Sequence, residues 1–126
     1  MYDNNNVFAK MIRGEIPTRR VYENDHAMSF YDINPMFATH VLVIPKGPYK
    51  NILDFTQNAS PLEQASFWEC FTTTANKLGI ECEFNCLANA GANAPFVPQS
   101  VFHFHLHLVS GARTPAFNQL ISEIQR

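Results

Sequence analysis

Three of the five histidines of this chain fall within five residues, in the run His103-Phe104-His105-Leu106-His107-Leu108-Val109. Alternation of imidazole and apolar side chains matches a β-strand, where every second residue shares a face. The pattern predicts His103, His105 and His107 on one face, with Phe102, Phe104, Leu106 and Leu108 turned into a core. Successive imidazoles on such a strand start ~6.6 Å apart, close enough to grip different atoms of one small ligand. The blandest account is a histidine-rich surface with no role, and strict alternation over all three positions disfavours it. A second account is metal binding, since His-x-His on a strand can chelate Zn²⁺. That needs a further carboxylate, imidazole or thiolate, and the neighbouring sequence offers no obvious one. Phosphate chemistry is the third. Imidazole is neutral enough near pH 7 to attack phosphorus, and its conjugate acid binds phosphate oxygens or protonates a leaving group.

The elements that must carry this strand are legible in outline. Asn6 to Arg13 reads as a short helix capped by Asn5 or Asn6 and stopped by Gly14. Strands are expected at Arg20–Glu23, Ala27–Tyr31 and Thr39–Ile44, with turns at Asn24-Asp25 and Asp32-Ile33-Asn34-Pro35. A long helix is expected from Pro61 to Leu78, with Ser60 as N-cap, Glu63 completing a capping box and Gly79 as stop. Its apolar stripe is read as Ala65, Trp68, Phe71, Thr72, Ala75 and Leu78, which makes Trp68 a core residue. Cys82 to Asn89 reads as a strand with Cys82, Phe84, Cys86 and Ala88 packed inward, Asn89 to Ser100 as a loop, and Ser100 to Val109 as the histidine strand. After Gly111 the tail reads as a loop, with room for a short terminal helix from Pro115. The expectation is a single α+β domain over residues 1–126, with an antiparallel sheet of about five strands, one long helix and one short helix.

Composition narrows the function further. The 126 residues carry a formal charge of -2, too near neutral for nucleic-acid or membrane-surface binding by bulk charge. The longest clean apolar run, Val41 to Ile44, is far short of a membrane span. The first residues, Met1 to Asn6, lack the basic-then-apolar pattern of a signal peptide. Cys70, Cys82 and Cys86 are odd in number and form no C-x-x-C, so free, buried thiols in a reducing, cytoplasmic setting are expected.

The motif resembles that of the histidine triad family of nucleotide hydrolases and transferases, His-φ-His-φ-His-φ-φ with φ apolar, which His103 to Val109 fits throughout. The resemblance continues in Phe8 to Pro17, which ends in Gly14-Glu15-Ile16-Pro17, in Val21 to Asp25, Phe30 to Pro35 and Thr39 to Lys46, and in Asn89-Ala90-Gly91 and Gln99-Ser100-Val101. It spans about residues 7–111, leaving 112–126 as a divergent tail, and is strongest to the Hint branch, the histidine triad nucleotide-binding proteins.

That resemblance implies roles. His105 matches the nucleophile that takes a nucleotidyl group from the α-phosphate, and His107 the residue that binds phosphate oxygen. His103 and His40 match a pair that orients the site by hydrogen bonding beneath the nucleophile. Ser100 matches a hydroxyl near the scissile bond, and Asn89 and Gln99 nucleotide-side contacts. Asp32 and Ile33 match the ribose-binding pair, and Val7, Phe8, Met11 and Phe30 an apolar slot for a purine. By the residues alone, His40 reads as a satisfied strand histidine, Asp32 as a turn residue and the apolar four as core. The implied activity is hydrolysis of purine nucleoside phosphoramidates or related nucleotidyl compounds, with no cofactor, in a homodimer sharing one continuous sheet. A binding module with little turnover and a dinucleoside polyphosphate hydrolase are the alternatives. Departures from the family pattern are also visible. Many bacterial relatives carry a zinc-holding C-x-x-C where this chain has Asn6 and Ala9, so no metal is expected. The loop from Gly91 to Gln99 is extended by Pro95-Phe96-Val97-Pro98. The tail lacks the branch's tryptophan followed by two prolines.

Overall fold

A computed structural model describes residues 1–124. Helix α1 (Val7–Ile12) leads into strands β1 (Arg20–Glu23), β2 (Ala27–Tyr31) and β3 (Phe37–Pro45). Helices α2 (Ile52–Asn58) and α3 (Pro61–Leu78) follow, then β4 (Asn85–Leu87), β5 (Leu106–Arg113) and α4 (Pro115–Ile124). The five strands form one antiparallel sheet in the order β1-β2-β3-β5-β4. β3 and β5 are central, with Leu42 opposite His107 and Val41 opposite Leu108.

The two faces of the sheet do different work. Val41, Val43, Leu106 and Leu108 sit on the face covered by α3. Phe55, Phe67 and Phe104 fill that side, each at most 1 % exposed. Their rings pack 5.1–5.3 Å apart between centroids, within the range aromatic pairs favour. The opposite face carries Met28, Phe30, Leu42 and Ile44 under α1, whose Phe8 and Met11 complete a second core. His40 and His107 extend this second face along the same strands, by the period-two rule.

Local chemistry sets the boundaries. Ser60 and Glu63 form the full capping box at the start of α3, and Gly79 closes it at φ +68, in the left-handed region that favours glycine. The buried face of α3 is Phe67, Cys70, Thr74 and Ala75, which shares Ala75 with the expected stripe, while Phe71 and Leu78 of that stripe are half-buried against the core. Ala65 and Thr72 are exposed, and Trp68 stands outside the core at 46 % exposure. The true stripe sits one position out of phase at its N-terminal end, and buried Thr74 belongs to it because its hydroxyl meets the Ser29 hydroxyl at 2.7 Å. Helix α2 was not expected. Asn51 caps it by accepting the Asp54 N–H at 2.9 Å, a signal hidden among polar residues. The Cys82–Asn89 strand contracts to Asn85–Leu87, and Cys82 and Cys86 are exposed, leaving Cys70 as the buried thiol. No described helix is long and apolar enough to cross a membrane.

Candidate active site

His40 on β3 lies opposite Val109, and His107 on β5 lies opposite Leu42. The two histidines are therefore diagonal neighbours on one face, close enough for long side chains to meet. Their rings do meet, with His40 Nε2 2.9 Å from His107 Nδ1. The Met36 backbone N–H donates to His40 Nδ1 at 2.8 Å, so Nδ1 is a lone-pair acceptor and the ring proton sits on Nε2. That proton is donated to His107 Nδ1, which leaves the proton of neutral His107 on Nε2. Asp32 Oδ2 lies 3.5 Å from the same His40 Nε2.

Asp32, His40 and His107 thus bring three ligand-type atoms within 4.8 Å of one another. The donor set suits a shared proton better than a cation. A cation needs the Nε2 lone pair of His40, which would move the ring proton to Nδ1, against the Met36 N–H. The resemblance implies a zinc-holding C-x-x-C in relatives at the positions of Asn6 and Ala9, and no cysteine stands at either one here. The Asn6 side chain caps α1 by accepting the Ala9 N–H at 2.9 Å, and neither residue offers a thiolate, so that zinc does not fit here.

His105 is oriented from below. Its Nδ1 lies 2.8 Å from the His103 backbone carbonyl. A carbonyl only accepts, so Nδ1 carries the proton and Nε2 keeps its lone pair. Phe8 packs edge-on against the ring at 5.0 Å between centroids. Burial pushes all four imidazoles below the ordinary histidine range. For His40 and His105 this desolvation is offset in part, by Asp32 in both cases and by the His103 carbonyl in the second. Burial takes His103 down to about 4, helped by neighbouring His105. It takes His107 down to about 3, helped by His105 and His40. All four are neutral at pH 7.

The triad is not one regular strand. β5 begins at Leu106, so His103 and His105 precede the ladder, and Phe102, expected in the core, is 46 % exposed. The expected pairing beneath the nucleophile also needs correction. His40 bonds to His107, not His105, and His103 supports His105 through its main chain. The His103 ring turns away to Pro45 and Tyr2.

Beside this cluster lies an open cavity of about 600 Å³, lined by Met11, Phe30, Asp32 and Ile33 together with Arg19 and Tyr31. The Arg19 guanidinium stacks over the Tyr31 ring at 4.4 Å. Of the expected purine slot, Met11 and Phe30 line the cavity, Phe8 forms the wall against His105, and Val7 is not among the lining residues. Ile33 is 88 % exposed at the mouth.

The remaining candidates lie on the loop before the triad. Asn89 is half-buried, two residues beyond the end of β4, where Leu87 faces His107. Ser100 is exposed, three residues before His103. Gln99 is buried and turned into the loop, a correction to its expected ligand contact. It accepts the Gly91 N–H at 3.0 Å and donates to the Lys50 and Val101 carbonyls at 2.6 and 2.8 Å. It staples the extended 91–99 segment shut. Sequence reasoning missed Tyr2, Arg19 and the Met36 amide. Arg19 had a faint signal as a cation at the head of a strand, whereas a backbone N–H has none.

The fold and the linked imidazoles define a class of small α+β domains that present a histidine cluster beside an apolar cavity. A family model described as HIT domain matches residues 13–114, and the chain belongs to that family, a superfamily of hydrolases and nucleotide-binding proteins. It is 43 % identical over 113 residues to an uncharacterized 13.2 kDa HIT-like protein of Azospirillum brasilense, covering 89 % of this chain and 90 % of that one. Among solved structures, one described as a Hit-like protein is 40 % identical with a TM-score of 0.73, covering 84 % of this chain and 98 % of its own. A HIT family hydrolase of Legionella pneumophila is 33 % identical with a TM-score of 0.74, covering 86 % and 95 %.

Proposed function

We propose that this protein is a Hint-like nucleotidyl hydrolase or transferase, acting on purine nucleoside phosphoramidates or related monophosphate derivatives through a nucleotidyl-His105 intermediate. One observation carries the reading. The His105 Nδ1–H is bonded to a main-chain carbonyl, which leaves a neutral Nε2 lone pair as the available nucleophile. This lone pair forms an N–P bond as the P–N bond to the leaving amine breaks. The amine takes up a proton, with the Ser100 hydroxyl as the relay and the His107 Nε2–H bound to a phosphoryl oxygen. Water then attacks the same phosphorus, the N–P bond breaks with its pair returning to Nε2, and monophosphate and a proton are released. Splitting one hydrolysis into two displacements is the gain.

The cavity beside Asp32 supports a nucleoside site, with Met11 and Phe30 against the base and the Asp32 carboxylate toward ribose. Asn89, at the head of the loop that leads into the triad, is assigned to the phosphate side. No metal or cofactor enters the scheme. The Legionella relative is described as a hydrolase, in keeping with turnover here. Edge strand β4 is flanked by the aromatic run Trp68, Phe71 and Phe84, with centroids 5.7 and 6.1 Å apart, and a homodimer joined through β4 would cover it. The three free thiols suit a reducing compartment such as the cytoplasm.

The test is turnover of an adenosine phosphoramidate against diadenosine tetraphosphate on one preparation. No Lys or Arg lies between Lys77 and Arg113, so a long polyphosphate would be poorly neutralised. The phosphoramidate should have the higher kcat/KM. The reverse order would assign the extended loop or the tail to polyphosphate hydrolysis, and AMP binding without turnover of either would make this a binding module.

A further inference from the structure

We propose that Tyr2 is a positioning residue for His105, acting through His103. The proposal rests on the reading of His105 as nucleophile and adds the device that aims it.

The His103 side chain is wholly buried at 0 % exposure, and both of its ring nitrogens are engaged. Nε2 lies 2.7 Å from the Pro45 carbonyl oxygen, so Nε2 carries the proton. The neutral ring then has a lone pair on Nδ1, and the Tyr2 hydroxyl, 2.6 Å away, donates to it. The Tyr2 ring stands edge-on to the imidazole at 5.7 Å between centroids. One contact runs along the buried ring from the chain's second residue to the end of β3.

The backbone carbonyl of this same residue accepts the His105 Nδ1–H at 2.8 Å. Sheet hydrogen bonding does not hold that carbonyl in place, because β5 starts only at Leu106. The Phe104 N–H of the same peptide unit donates to the Tyr49 carbonyl at 2.8 Å. The anchored His103 ring fixes this peptide unit from its Cα side and Tyr49 fixes it at its N–H, and together they set where the carbonyl points and so which nitrogen of His105 keeps the lone pair. Phe8 reinforces the arrangement by standing edge-on to both rings, at 6.2 and 5.0 Å.

The arm that delivers Tyr2 is itself tied down. The Asp3 carboxylate accepts the Asn5 N–H at 2.8 Å, and the Asp3 carbonyl accepts from the Asn6 side-chain amide at 2.8 Å. The Arg13 guanidinium holds the Asn4 carbonyl at 2.8 Å. A hydroxyl delivered on a closed turn is pre-ordered, so little entropy opposes the contact.

Tyr2→Phe tests this by deleting only the hydroxyl. Long-range ¹H–¹⁵N spectra of the imidazoles report the tautomers directly. In the wild type, His103 should be protonated on Nε2 with a hydrogen-bonded Nδ1, and His105 protonated on Nδ1. In the folded variant, the His103 Nδ1 resonance should move to its unbonded position and His105 should become a mixture of tautomers. Phosphoramidate kcat should fall roughly 10-fold with KM little changed, the scale of one lost hydrogen bond. A folded variant with an unshifted His105 tautomer and unchanged kcat would overturn the proposal. Should the variant not fold, the wild-type spectrum decides, since His103 protonated on Nδ1 rules out a donating Tyr2. If the wild type turns over no nucleotidyl substrate, the functional reading fails, and the tautomers still decide whether Tyr2 aims His105.

Discussion

His40 Nε2 donates to His107 Nδ1 across 2.9 Å, and the tautomer of each ring follows from the one before it. The Met36 amide occupies His40 Nδ1, which forces the His40 proton toward His107, which in turn presents its Nε2–H outward. Asp32 stands 3.5 Å from the shared nitrogen and favours a positive charge developing on the pair when an anion binds.

Breaking this relay should cost binding of the phosphate more than the chemistry. His40→Phe removes the Nε2–H and leaves His107 free to take either tautomer. A rise in KM for the phosphoramidate of about 10-fold is expected, near one charge-assisted hydrogen bond, with a smaller drop in kcat. Steady-state kinetics at pH 7 check it, and a pure kcat effect would instead tie His40 to the nucleophile.

Replacing His105 with Asn removes the nitrogen proposed to attack and keeps a polar side chain. Turnover should fall by more than the ~10²–10⁴-fold typical of losing a general acid or base, while AMP binding measured by calorimetry stays near wild type. Rapid acid quench of the wild type with labelled substrate should trap a nucleotidyl-protein that the variant never forms.

The pH profile carries a sign. The proposed nucleophile, His105, works when neutral, and burial lowers its pKa, so kcat/KM should stay flat from pH 8 down past 6.5 before its acid limb begins. An acid limb centred above 6.5 contradicts the buried neutral ring.

Stability should titrate in the same direction. His103 titrates near 4 in the fold and near 6.5 once unfolded, so the unfolded chain binds more protons between those values. The stabilisation is complete above 6.5 and is lost as pH falls toward 4, by about 1.4 kcal/mol per pH unit for each such group. Urea melts at pH 7, 6 and 5 measure the slope, and equal midpoints would show that these rings are not held neutral.

Neighbouring aromatics on α3 should respond very differently. Phe67 is 0 % exposed and Trp68 46 %. Phe67→Ala should cost about 3–5 kcal/mol through the cavity it leaves, and Trp68→Ala about 1 kcal/mol or less in the monomer. Denaturant midpoints of the two variants decide between this face and the stripe that periodicity suggested.

The residues alone determined the fold class, strands β1 and β2, the bounds of α3 and the histidine run. Each of these is written in local chemistry, as alternating side chains, a capping box or a glycine stop, which act within a few residues. Only the tertiary structure decided which way the histidines face their partners. The pairing of His40 with His107 depends on a register between strands 67 residues apart, and the Tyr2–His103 bond joins residues 101 apart. Gln99 looks like any polar loop residue until the chain brings Gly91, Lys50 and Val101 around it. Trp68 and Phe67 are adjacent aromatics of similar hydrophobicity, and a rotation of 100° about α3 puts one in the core and the other outside. Side-chain type reports what a residue can do, whereas tautomer, burial and partner are properties of the packed neighbourhood, and the chemistry of this site depends on all three.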